Sequence, residues 1–197
     1  MGDYAAGKVL IIMKVSTALL ERRTIRKFKQ LPVDDEMLLD LINYARLAPF
    51  AGNVQALKYK IITDPILRDK IFNNVKWAGY LPKGTPLPDE RPPAFIAVLG
   101  DTKIKESFET DAGAAITSIL LGATDMGLGC CWMGAIKRST ISSILELPSH
   151  LSLLYVIAIG YPAEESRECE YKEDPKYYYN EEKVLQVPKL SVEDILL

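Results

Sequence analysis

Gly127-Leu128-Gly129-Cys130-Cys131-Trp132-Met133-Gly134 decides how this chain folds, because it runs out of a long apolar helical stretch and into a brief strand. From Asp111 to Leu128, Ala115, Ile119, Leu120 and Ala123 recur at helical spacing, and Gly113 and Ala114 permit close packing. A dinucleotide-binding fingerprint needs the opposite order, strand into helix, and a third glycine where Trp132 stands. That fold is excluded, and the chain has neither a G-x-x-x-x-G-K-[ST] phosphate loop nor a G-x-S-x-G elbow.

Outward from this stretch, strands and helices alternate. Ala94 to Leu99 and Leu151 to Ile159 are apolar strand candidates, closed by Gly100-Asp101 and Gly160-Tyr161-Pro162. Leu57, Tyr59 and Ile61 alternate with lysines as a further strand. Helices are predicted from Val15 to Arg22, from Asp34 to Ala48, from Asp64-Pro65 to Val75, and from Ser139 through Leu145. Such alternation demands a sheet with helices covering its faces, in an α/β-type or α+β domain. Residues 13–197 are expected to form one domain, preceded by residues 1–12 as an upstream extension or an expression remnant. Five prolines and two glycines between Trp77 and Pro93 make 76–93 a rigid, irregular, lid-like loop. The acidic tail from Ala163 to Lys189 has Tyr177-Tyr178-Tyr179 at its middle and no core of its own, so it must lie on this subunit or on a neighbour.

A net charge of -2 and a pI near 5.6, without a basic stripe, argue against nucleic acid. The apolar run Val9 to Met13 is too short to span a bilayer, and no membrane association is expected. Three cysteines without a C-x-x-C pair fit a reducing, cytoplasmic setting and offer no zinc site. A single histidine, His150, cannot supply a histidine-rich metal centre and gives little basis for a Ser/His/Asp triad.

Arg22-Arg23-Thr24-Ile25-Arg26 places three guanidinium groups within five residues, suited to a phosphate or to a ring that gains negative charge. A plainer reading also fits: cations at a helix C-terminus complement its dipole. Asn53 and Gln55, in the loop Pro49 to Gln55, would serve a pyrimidine edge or simply a turn, and the Met133-Gly134 turn would offer a backbone N–H or simply end a strand. Taken together these groups suit the holding of a flavin, which would itself carry the chemistry.

Five blocks carry a family resemblance: Glu21 to Phe28, Ala45 to Gln55, Asp111 to Ala115, Gly127 to Gly134, and Ile159 to Pro162. In that order and spacing the chain resembles the FMN-dependent nitroreductase family from about residue 14 to its end. The resemblance implies an α+β, nitroreductase-like fold with a central mixed sheet covered by helices on both faces. It implies a homodimer that exchanges terminal segments and builds two FMN sites at the subunit interface. By the same resemblance Arg22, Arg23, Thr24 and Arg26 contact the phosphate and the N1/O2 edge, while Pro49, Phe50, Ala51 and Asn53 reach the flavin from the other subunit. Gln55 supports that loop, Met133 and Gly134 face N5, and Lys189, before a final helix, helps hold the phosphate, with Arg167 as a poorer substitute. The family usually has a hydroxyl residue at Phe50 and Pro-Trp at Ala56-Leu57, and Lys76 to Pro82 resembles a subgroup with ill-defined acceptors. The implied activity is hydride transfer from NADH or NADPH through FMN to a small acceptor such as a nitroaromatic or quinone. Reductive dehalogenation, flavin breakdown, or flavin binding without turnover are the alternatives.

Overall fold

A computed structural model describes residues 13–197; the short apolar run Val9 to Met13 and the proposed extension 1–12 fall wholly or mostly outside them. Helices α1 (Val15–Glu21) and α2 (Asp35–Arg46) lead into strand β1 (Leu57–Ile62), helix α3 (Pro65–Phe72) and strand β2 (Ala94–Asp101). Helix α4 (Glu109–Asp125), strand β3 (Gly129–Met133), helix α5 (Arg138–Ile144) and strand β4 (Leu151–Gly160) follow. The tail supplies β5 (Ser166–Glu170), β6 (Tyr178–Tyr179) and β7 (Leu185–Lys189).

The main sheet has the order β1-β2-β4-β3, and its three ladders are antiparallel. Its parallel component is an isolated bridge between Thr24 and Cys130 on the outer side of β3. All eight residues of β2 are buried, as a central strand covered on both faces requires. On one face α2 and α4 pack through Leu38, Leu41, Ala45, Ala112, Ile116 and Ile119. On the other, α3 and α5 bring Ile71, Phe72, Ile141 and Leu145 against Phe95, Ala97 and Val156. Helix α3 starts where its sequence says it should, with Asp64 accepting from the Leu67 N–H at 2.8 Å ahead of Pro65.

Two local expectations are corrected and one open choice is resolved within the single chain. The arginine cluster does not close a helix: α1 stops at Glu21, Arg22 caps it at ψ 117°, and the chain then runs along the outer edge of β3. The helix dipole reaches Arg22 at the cap but not Arg26, four residues further along the extended segment. No helix follows Lys189; the chain turns instead, with Ser191 N–H and Oγ both bonded to Asp194 at 3.0 and 2.9 Å. The tail lies on this subunit, as a three-stranded sheet β5-β7-β6 anchored by buried Val184 and Leu185. No helix among the described residues is long and apolar enough to cross a membrane.

Candidate functional site

Strand β3 lies at the sheet's edge, so its outer backbone is free to receive the segment after α1. The Ile25 N–H donates to the Cys130 carbonyl at 2.9 Å. Gly129 makes this approach possible, since a Cβ there would stand 2.7 Å from Ile25 Cβ. Further on, Phe28 bridges Pro162, and the Ala163 N–H donates to the Lys27 carbonyl at 2.9 Å. The cluster is thus held as an extended ribbon between β3 and the turn after β4.

Each cation has a different environment. Burial, and next the neighbouring Arg23 charge, push the Arg22 guanidinium below its ordinary pKa. The side chain of Arg23 is only 8% exposed; it donates to the Arg22 carbonyl at 2.7 Å and pairs with Glu168 at 2.5 Å, yet its buried Nε has no partner. Arg26 donates its backbone N–H to Glu164 at 2.5 Å and lays its guanidinium over the Tyr177 ring at 4.3 Å. Adjacent desolvated cations with an orphaned donor are the surroundings a multidentate anion such as a phosphate stabilises.

Met133 and Gly134 end the same strand. Three residues separate Cys130 from Met133, about 10 Å of extended chain, so the arginines and this turn flank one edge. The Met133 side chain is buried, whereas Gly134 is exposed and its carbonyl accepts from Arg138 Nη2 at 3.1 Å.

The Pro49–Gln55 loop lies elsewhere. It makes one 3₁₀ turn, Ala51–Asn53, with positive φ at Gly52 (60°), Asn53 (52°) and Gln55 (55°). The Ala51 N–H donates to Asp111 at 3.0 Å, Gln55 Nε2 donates to the Asn53 carbonyl at 3.3 Å, and residues 51–55 are exposed. The Ala56 carbonyl, just past the loop, accepts from Asp101 at the far end of β2, while Ala94 at the near end faces Ile159, the partner of Cys130. Seven residues of strand separate those ends, about 23 Å. Within one chain the loop and the arginines stand at opposite ends of the sheet.

Lys189 ends β7 opposite Glu170 and lines, with Glu168, Cys169, Tyr171, Ser191 and Asp194, a cavity of about 520 Å³. Among the described residues no hydrogen bond or ion pair joins it to the arginines, and Arg167 pairs with Glu165. Glu164, Glu168, Tyr177 and Tyr179 touch or brace the cluster without having been singled out as site residues. Glu164, Glu168 and Tyr177 meet partners well over a hundred residues away in sequence, Tyr179 acts through Glu164, and the tyrosine run is the one visible signal. Among the described residues no group of three or more His, Cys, Asp or Glu side chains is placed to hold a metal ion.

The fold is α+β, with an arginine-lined strand edge at one end of the sheet and the Pro49–Gln55 loop at the other. The nitroreductase family model matches residues 19–82 and 89–161, and the chain belongs to that family. A 5,6-dimethylbenzimidazole synthase of Rhodospirillum rubrum is 25% identical over 169 residues, covering 73% of this chain and 80% of that protein. An NADH dehydrogenase of Thermus thermophilus is 26% identical over 185 residues, covering 79% and 90%. The structure of an FMN-dependent nitroreductase from Clostridium difficile superposes with a TM-score of 0.64 at 26% identity, covering 79% of this chain and 91% of that one.

Proposed function

We propose that the protein is an FMN-dependent NAD(P)H oxidoreductase of the cytoplasm, working as a homodimer and reducing a small planar acceptor such as a nitroaromatic or quinone. The observation that carries this reading is the half-buried pair Arg22 and Arg23, with the buried Nε of Arg23 left without a partner. The names of the Thermus and Clostridium relatives support the donor and the cofactor. FMN held there would supply hydride transfer between reduced nicotinamide and the acceptor, in alternate half-reactions.

The chain's own groups would bind and orient. Arg22, Arg23 and Thr24, with Lys189, would hold the phosphate, and Arg26 would face the N1/O2 edge, where its fixed charge favours the reduced anion. Met133 and Gly134 would flank N5. Pro49, Phe50, Ala51 and Asn53, supported by Gln55, would form the opposite wall from a second copy. The 23 Å separation within one chain supports that division, as do the exposed Val15, Leu19 and Leu20 of α1 and Ile195, Leu196 and Leu197 at the C-terminus. Phe50 would cover the ring by apolar contact. No side-chain nucleophile is needed.

The visible spectrum of purified protein, before and after anaerobic NADH or NADPH, tests the reading. A yellow dimer bleached by either donor is expected. A colourless protein that refuses FMN overturns it. Flavin breakdown on the same scaffold is the second reading, the Rhodospirillum relative being named for a synthase rather than for nitroreduction; loss of free reduced FMN under oxygen, measured by chromatography, would select it.

A further inference from the structure

The tyrosine run of the tail is absorbed by neither the sheet core nor the proposed cofactor contacts, yet it meets the arginine cluster at several points. Tyr177 lies under the Arg26 guanidinium at 4.3 Å, and its ring centroid is 5.1 Å from that of Tyr80 in the 76–93 loop, tilted by 55°. Tyr179 Oη donates to Glu164 at 2.5 Å, and the other oxygen of that carboxylate accepts the backbone N–H groups of Arg26 and Lys27 at 2.5 and 3.2 Å. Lys27 then pairs with Glu90 at 3.0 Å, whose carboxylate accepts the Leu87 N–H within the same proline-rich loop at 2.9 Å. Tail, cation and loop are one connected assembly.

The choice of an aromatic partner has a physical consequence. A carboxylate would fix a guanidinium by occupying its donors and cancelling its charge, as Glu168 does at Arg23. A ring face holds the cation through its π-cloud and leaves the in-plane N–H fork free for another anion. Among the described residues the Arg26 guanidinium donates no hydrogen bond, so its donors remain available. Tyr80, 55% exposed, meets the same tyrosine ring at a tilt of 55°. The root of the loop is fixed separately by buried Trp77 against Phe72, centroids 5.1 Å apart.

We propose that Tyr177 is a positioning residue that orients Arg26 for an anionic cofactor edge and, through Tyr80, clasps the 76–93 loop over it. The inference rests on the FMN reading for the guest of Arg26, and on geometry alone for the clasp. Access of an acceptor would then depend on parting Tyr80 from Tyr177 while Arg26 stays in place.

The test compares Tyr177→Leu, Tyr177→Phe, Arg26→Ala and the Tyr177→Leu/Arg26→Ala double variant. FMN affinity is read by quenching of flavin fluorescence, and loop order by amide hydrogen exchange over residues 78–84 without added FMN. Tyr177→Leu should weaken FMN binding about tenfold, with Tyr177→Phe within about twofold of the parent because it keeps the ring face. In the Arg26→Ala background Tyr177→Leu should have no further effect on affinity. Amides 78–84 should exchange faster in Tyr177→Leu and at parental rates in Tyr177→Phe. Parental FMN affinity in Tyr177→Leu, or equal losses with and without Arg26, overturns the positioning role; unchanged exchange overturns the clasp. A parent protein that takes up no FMN defeats the cofactor reading instead, and the exchange comparison still decides the clasp.

Discussion

Asp111, in the first turn of α4, accepts a hydrogen bond from the backbone N–H of Ala51 at 3.0 Å. Its other oxygen takes Lys105 Nζ at 2.7 Å, and the carboxylate side chain is only 2% exposed. One buried charge thus ties the exposed Pro49–Gln55 loop to the helix beneath it. The Ala51 hydrogen bond, and then that of Lys105, hold the Asp111 carboxyl below its usual pKa. Because the folded-state value is depressed, the stability it contributes is present above the ordinary carboxylate range and is lost as pH falls through the folded value.

Asp111→Ala is expected to cost about 1.5–3 kcal/mol, since it removes charge-assisted bonds and leaves Lys105 and the Ala51 N–H without their acceptor. Urea unfolding near neutral pH measures this. The gap between parent and Asp111→Asn should narrow as pH falls below the ordinary carboxylate range and through the depressed folded value at which the parent takes up its proton. A gap that stays constant over that fall in pH would show that the charge of Asp111 contributes nothing.

Gly129→Ala tests the seating of the arginine ribbon on β3. The added methyl meets Ile25 at its branch point, 2.7 Å from Cβ, where no side-chain rotation relieves it. Overpacking of this kind costs about 1–3 kcal/mol and should displace the Thr24–Cys130 bridge. We expect a lowered urea midpoint together with weaker FMN uptake. Gly113→Ala, inside α4 where nothing lies within 4 Å, should leave FMN uptake unchanged and, if anything, raise the midpoint, because alanine is the better helix former.

The residue types of the site were legible in the sequence, but their arrangement was not. The periodicity of α2 and α4 and the Asp64-Pro65 start of α3 are local signals, written in neighbouring residues. The arginines read equally well as a helix end, because what places them on a strand is the absent Cβ of Gly129 and the Cys130 carbonyl, about a hundred residues on. That the Pro49–Gln55 loop stands at the other end of the sheet follows from the β2–β4 register, which no spacing within either segment encodes. Glu164 and Glu168 sit in an acidic tail where every carboxylate looks alike until the chain folds back.

The thiols should divide by burial. Desolvation pushes Cys131 up to about 11 and raises Cys130 as well, and both are buried, whereas Cys169 is partly exposed in β5. Thiolate is the reactive form, so iodoacetamide near neutral pH should modify Cys169 alone in the native protein and all three cysteines in denaturant. Peptide mass spectrometry reads the sites. Native-state labelling of Cys130 would mean that β3 opens, and with it the seat of the arginines.

The three arginines should respond unequally because their counter-charges differ. Arg26 is stacked on a neutral ring, so Arg26→Ala removes an uncancelled charge and should cost about 1.5–3 kcal/mol of FMN affinity. Arg23 already shares its charge with Glu168, whose side chain is 60% exposed. Removing that carboxylate by Glu168→Gln should therefore strengthen FMN binding, by no more than about 1 kcal/mol because solvent screens an exposed partner. The gain should shrink between low and high salt, as the Debye length contracts from about 30 Å at 0.01 M to about 8 Å at 0.15 M. Dissociation constants for parent and variant at both ionic strengths measure it. Weaker binding in Glu168→Gln would show that the carboxylate orients Arg23 for the phosphate rather than competing with it.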